Sequence, residues 1–168
     1  SAAKSVYRMA GYSGKRVQAL GGAKNHAVVL PDADLEYVAN SIMGAAFGSC
    51  GQRCMALSVV LSVTDEVGDR LAQLMAKKIK ELRIGSGDEN LDMGPLNSRL
   101  QKDRILALVE SGVNEGANLL VDGREHPTCK SPGYYLGGCL FDQVRSEMSI
   151  YQEEIFGPVL AIIPYDTE

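Results

Sequence analysis

A chain of 168 residues with 45% apolar and 23% charged content has the size and composition of one ordinary globular domain with a real core. Its formal charge of −4, with 17 basic residues scattered rather than clustered, leaves no electrostatic footprint for nucleic acid or an anionic membrane. No apolar run approaches the ~20 residues of a membrane span, and the start of the chain lacks a hydrophobic signal core, so the expected location is cytoplasmic, with the mitochondrial matrix as the alternative.

Residues 2–12 read as a short helix, broken by "GYSGKR" before "HAVVL" (26–30), an apolar run of strand length that predicts a buried strand. "PDADLEYVANSIMGAAF" offers Asp32 or Asp34 as a helix N-cap, apolar residues at 35, 38, 42, 46 and 47, and Gly48 as a stop. The β-branched, alternating "ALSVVLSV" (56–63) predicts a strand, and "TDEVGDRLAQLMAKKIKEL" an amphipathic helix with Leu71, Leu74, Met75, Ile79 and Leu82 on one stripe. A polar, Gly-rich connection (85–95) leads to a helix across 98–114 and then to strands in "NLLVDG", "GYYLGGCLF" and "PVLAIIPY". This alternation predicts an α/β fold, a three-layer α/β/α domain with a largely parallel sheet and ligand chemistry at the carboxyl ends of its strands.

Most candidate motifs fail on their own chemistry. Gly14-Lys15 has Met9 where a phosphate loop needs its first glycine and Arg16 where it needs a hydroxyl, and "GSGDEN" (85–90) lacks the third glycine of a dinucleotide fingerprint. A zinc site is not expected from two histidines, four irregularly spaced cysteines and no CxxC pair. His26 opens a predicted strand and His126 sits in a polar loop, so both are read as structural rather than as partners of a thiol. The four cysteines read as reduced thiols, because a chain of this size needs no disulfide framework.

"GSCGQRCMAL" (48–57) is different. Cys54 follows a helix and a glycine turn, which expose a sulfur, and stands beside Arg53, whose permanent charge favours a thiolate. Residue chemistry alone leaves two readings open, a reactive thiol or a small buried hydrophobe.

"GQRC" (51–54) resembles the active-site segment of the NAD(P)-dependent aldehyde dehydrogenase superfamily. Further blocks agree in the expected order: "LGG" (20–22), "PDADL" (31–35), residues 93–117, "GYYLGGCLFDQV" (133–144) and "EMSIYQEEIFGPVLAI" (147–162). "GAKNHAVVLPDAD" together with "GQRCMAL" is most similar to the CoA-acylating methylmalonate-semialdehyde dehydrogenase branch. The resemblance implies the following roles. Cys54 is the nucleophile and its own N–H is half of an oxyanion hole. Glu154 and Phe156 lie at the nicotinamide-side ribose of NAD, and Gly21 and Gly22 near the nicotinamide. Arg53 is the candidate cation for the carboxylate of a semialdehyde substrate, or a tuner of the thiolate, with a salt bridge between elements as the plain alternative. The plain alternative for Glu154 is a solvated loop carboxylate, and for the two glycines a tight turn.

Two departures from the superfamily pattern matter. Ala19 stands where hydrolytic members carry the glutamate that activates water, which favours coenzyme A as acyl acceptor, and Gly138-Cys139 replaces a usual Pro-Thr pair, with Cys139 read as core. In the family's order most of the cofactor domain precedes "LGG" and an oligomerising strand follows the last block. Residues 1–19 are therefore read as a remnant of the link to the cofactor domain, and 20–168 as the catalytic domain, truncated at its C-terminal end, of a homo-oligomeric parent. The function so implied is oxidation of methylmalonate or malonate semialdehyde through a Cys54 thioester to propionyl-CoA or acetyl-CoA with loss of CO2. This piece alone is expected to be inactive. The alternatives are a hydrolytic aldehyde dehydrogenase and a non-catalytic assembly module.

Overall fold

The computed structural model describes residues 2–165. In chain order its elements are α1 (Ala2–Tyr12), β1 (Asn25–Val29), α2 (Leu35–Phe47), β2 (Leu57–Val63), α3 (Asp65–Lys80), α4 (Arg99–Asn114), β3 (Asn118–Val121), β4 (Cys139–Asp142), α5 (Ser149–Gln152) and β5 (Val159–Tyr165). The five strands form one sheet in the order β1-β2-β5-β4-β3, parallel throughout except for the β3–β4 pair.

Two helical layers enclose it. α2 and α3 pack on each other and on β2 and β5; a Cβ at Gly138 would touch Phe47 of α2 and Ile79 of α3. Phe141 lies an odd number of residues further along and so faces the other way. It sits against Gly112 of α4, whose missing Cβ also admits Ile150 of α5. The core therefore runs on both faces of β4 and β5, where Leu140, Phe141 and Leu160 are wholly buried. The three-layer α/β architecture matches the expectation from periodicity.

The capping chemistry is resolved in favour of Asp34. Its Oδ1 accepts from the Glu36 and Tyr37 N–H groups at 3.0 and 3.1 Å, satisfying two orphan donors of the first turn of α2. On α3 the predicted stripe holds, with Leu71, Met75 and Ile79 buried and Leu74 and Leu82 partly so.

Four expectations are corrected. The chemistry expected at the carboxyl ends of the strands has its candidate residues at their amino ends instead, since Cys54 precedes β2 and Glu154 and Phe156 precede the parallel β5. The strand at 26–30 is not buried on both faces. β1 is an edge strand paired only with β2, and Val28 is 62% exposed, because the described helices leave the face that carries it uncovered. The apolar run reports hydrophobicity, not whether both faces find a cover. The strand predicted across 133–141 shrinks to Cys139–Asp142. Gly137 N–H donates to Gly123 O at 2.9 Å and the two glycine backbones touch, so this stretch is a close backbone crossing rather than a ladder. The single turn α5 lies where no helix was read. Its N-terminus is held by Glu115, whose carboxylate accepts from Ser149 N–H at 2.7 Å and from the Ser149 hydroxyl.

Asp34→Ala removes both cap acceptors and is expected to cost about 1 kcal/mol, read as a fall in thermal midpoint of ~2–4 °C by circular dichroism.

Candidate active site

After α2 the chain enters a run of left-handed residues, Ser49 (φ 52°), Cys50 (φ 57°) and Gly51 (φ 67°). Such backbone costs a non-glycine residue about 1 kcal/mol or more, and packing holds it in place. Cys50 is buried with its thiol donating to Gly94 O at 3.3 Å, and Gln52 pairs with Asn97 through its carbonyl (2.9 Å to Asn97 N) and its amide (3.3 Å to Asn97 Oδ1). Only glycine fits at 51, because a Cβ there would lie 2.2 Å from Gly157 O. Arg53 O then accepts from Ala56 N–H at 3.0 Å, closing a turn with Cys54 and Met55 at its centre. Cys54 is exposed at this turn. Among the described residues its N–H donates to no acceptor, as an oxyanion donor must be free to do.

Arg53 extends back along α2, where Nη2 donates to Gly44 O at 2.7 Å and Ala45 O at 2.8 Å. It thus adds a second donor to Gly44 O, which already accepts from Gly48 N–H, and reaches Ala45 O in the last turn of the helix. Gly48 ends the helix beside it, where a Cβ would stand 3.0 Å from the guanidinium. The remaining Nε and Nη1 donors have no acceptor among the described residues.

The second half of the site is the segment after α5. Phe156 adopts φ 58°, and the carbonyls around it are gripped by two cations. Arg104 of α4 donates to Glu154 O at 2.8 Å and Ile155 O at 2.9 Å. Lys24 Nζ donates to Ile150 O at 2.5 Å and Glu153 O at 2.7 Å. Burial pushes the Lys24 ammonium down to about 8, while the nearby Glu154 carboxylate pulls in the opposite direction. Glu154 itself is half-buried, and its carboxylate accepts no hydrogen bond from the described residues.

Gly21, Gly22, Cys54, Glu154 and Phe156 line one open cleft of about 730 Å³, within the usual size of small-molecule sites. Gly22 has φ 81° with empty space where a Cβ would stand, so its lack of a side chain keeps the cleft clear. A free carboxylate and a cleared glycine edge thus leave acceptor capacity and space along one side of the cleft. Arg53 is the exception among the predicted residues. It lines a narrow crevice shared with Cys54, not the cleft. Ala19 faces a neighbouring concavity beside α1.

His26 is exposed and hydrogen-bonds Lys24 O (2.6 Å) and the Tyr151 hydroxyl (3.1 Å), and His126 accepts from Thr128 N–H at 3.3 Å. Both make structural contacts. Lys24, Asn25 and Arg104 were not singled out from the sequence. The polar "KN" between a glycine pair and an apolar strand was the available signal for the first two.

The whole chain, residues 1–168, matches the model of the aldehyde dehydrogenase family, and the chain belongs to that family. Malonate-semialdehyde dehydrogenase of Pseudomonas aeruginosa is 51% identical over 163 residues, covering 96% of this chain and 33% of the relative. Malonate-semialdehyde dehydrogenase 1 of Oceanobacillus iheyensis is 49% identical over 162 residues, again 96% of this chain and 33% of the relative. Among solved structures, a methylmalonate-semialdehyde dehydrogenase of Sinorhizobium meliloti 1021 complexed with NAD superposes with TM-score 0.91 at 46% identity, over 98% of this chain and 34% of that one. That of Oceanimonas doudoroffii does so with TM-score 0.92 at 45% identity, with the same coverage of both chains. The chain thus spans about one third of the length of the relatives it matches. No helix among the described residues is long and apolar enough to cross a membrane.

Burial separates the four thiols. It pushes Cys50 and Cys139 up to about 12, whereas Cys54 is exposed and Cys129 half-buried. Limiting iodoacetamide with mass mapping at pH 8 is expected to label Cys54 first and to leave Cys50 and Cys139 unmodified until the chain unfolds. Labelling of Cys139 ahead of Cys54 would contradict the site.

Proposed function

We propose that the chain supplies the nucleophile-bearing part of an NAD-dependent, CoA-acylating aldehyde dehydrogenase that oxidises malonate or methylmalonate semialdehyde. The observation that carries this reading is one cleft shared by an exposed cysteine, a free carboxylate and two glycines.

The Cys54 thiolate attacks the aldehyde carbon, and the resulting oxyanion takes the free Cys54 N–H, a donor fixed by the surrounding turn. NAD, when bound, accepts the hydride from the tetrahedral carbon. The acyl group is then a thioester on Cys54. The β-carboxylate leaves as CO2 and the carbon that carried it takes a proton. The thiolate of coenzyme A attacks the thioester carbonyl, and the Cys54 sulfur departs as thiolate. Arg53, turned back onto the end of α2 and lining a crevice rather than the cleft, steadies the backbone that carries Cys54 instead of meeting the substrate carboxylate. The Pseudomonas and Oceanobacillus relatives, both malonate-semialdehyde dehydrogenases, support that substrate class.

Ala19 supports transfer to coenzyme A over hydrolysis. Water attacks a thioester slowly without a positioned base, and a carboxylate base in such a step is worth roughly 10²–10⁴-fold. A thiol acceptor arrives largely as its own nucleophilic anion and needs less help. In the complete enzyme, assembled as a homo-oligomer, steady-state NADH formation is expected to depend on coenzyme A, and Ala19→Glu to raise CoA-independent turnover about tenfold or more. Rapid steady-state release of the free acid without coenzyme A, with Ala19 in place, would establish the hydrolytic alternative.

The 168 residues alone present ribose-side contacts, and we infer that they do not turn over. Calorimetry on this chain is expected to find NAD binding weaker than micromolar, short of about −8 kcal/mol. A micromolar constant would place the whole cofactor site within it.

A further inference from the structure

Asn25 Nδ2 donates to Cys54 O at 3.0 Å and to Ala56 O at 2.8 Å, so one amide holds both carbonyls that flank Met55 and fixes the turn presenting the nucleophile. Its neighbour reaches elsewhere. Lys24 Nζ grips Ile150 O and Glu153 O, in the segment that presents Glu154 and Phe156. His26 repeats the second contact, its Nε2 meeting the Tyr151 hydroxyl at 3.1 Å while Nδ1 bonds Lys24 O. Residues 24 and 26 thus serve one segment and residue 25 the other, the division expected where a chain enters a strand and side chains alternate. The register between β1 and β2 slips by one residue between Asn25 and His26, a local irregularity of the sort that re-aims side chains beside functional sites.

We propose that the Lys24–Asn25 dipeptide is a positioning element that sets the placement of Cys54 relative to Glu154. Asn25 anchors the nucleophile's turn and Lys24 anchors the ribose-facing segment. The two loops touch through Gly51 and Gly157, which sets their closest approach. Two side chains from adjacent residues, each donating twice, hold the rest of each loop. Arg104 adds a grip on Glu154 O and Ile155 O from α4, on the far side of the same segment. The proposal rests on the roles given above to Cys54 and Glu154.

The test has a structural arm and a kinetic arm, both in the complete enzyme. Asn25→Asp keeps the volume of the side chain while removing its donors, Asn25→Leu removes polarity as well, and Lys24→Met keeps the length of the lysine stem without its charge. Hydrogen exchange in the NAD-free protein is expected to speed up at least tenfold for the hydrogen-bonded amides of Gln52 and Ala56 in the Asn25 variants and of Tyr151, Gln152 and Glu153 in Lys24→Met, each change confined to its own segment. In the kinetic arm, Asn25→Asp and Asn25→Leu lower kcat at least tenfold with the NAD KM changed less than threefold. Lys24→Met does the reverse, raising the NAD KM at least tenfold, and Lys24→Arg, which retains charge and donors, recovers most of it. Exchange that is unchanged, or that rises across both segments in either variant, overturns the proposal, as does an equal loss in kcat and NAD affinity from both substitutions. A Glu154→Gln enzyme with an unaltered NAD KM overturns the ribose reading instead, and leaves the exchange result to decide the positioning role.

Discussion

Everything in the site depends on two glycine-bearing loops meeting backbone to backbone. The position a Cβ would take on Gly51 is 2.2 Å from Gly157 O, so no other residue lets the turn after α2 close against the segment before β5. That closure forces the chain through left-handed backbone at Ser49 and Cys50, and burial of Cys50 with its thiol bonded to Gly94 O helps hold it there. The exposed turn at Cys54 follows directly, because the next residues must climb out of that contact into β2. Gly157 is constrained from its other side too, where a Cβ would strike Ile105 of α4. The turn after α2, the segment before β5 and α4 are thereby stacked in that order by steric necessity.

A second constraint is the satisfaction of carbonyls. Irregular backbone leading into the amino ends of β2 and β5 carries acceptors that no ladder pairs, and leaving them buried and unmade is costly. Here they are met by cations and amides reaching in from neighbouring elements: Arg53 on the end of α2, Arg104 and Lys24 on residues 150–155, Asn25 on Cys54 and Ala56. The same donors that satisfy the backbone stiffen it. A charged residue beside a catalytic one can therefore serve the backbone rather than the substrate, as Arg53 does on the end of α2.

Much of this was legible in the residue pattern, and the boundary is physical. Helices α2, α3 and α4 announce themselves through period and caps, and β2 and β5 through β-branched runs, because those signals are local. The resemblance carried Cys54, Glu154, Phe156 and the glycine pair, which the fold brings to one cleft. What escaped was set by partners far along the chain. The exposed face of β1 depends on which helices cover which face, the glycine crossing at 123 and 137 on a contact between distant segments, and the short α5 on the carboxylate of Glu115 just past the end of α4. The direction of Arg53, toward α2 rather than the cleft, could not be read from its place beside the nucleophile, because adjacency in sequence does not fix where a long side chain lies.

The uncovered face of β1 bears on how these residues behave in bulk solution. An edge strand presents unpaired N–H and C=O groups, and the window "NHAVVL" adds β-branched side chains with no formal charge to oppose association. At this sheet margin a second molecule can extend the ladder by ordinary strand pairing. Introducing a lysine at Val28, whose side chain is exposed, is the direct way to blunt that margin without disturbing the buried layers.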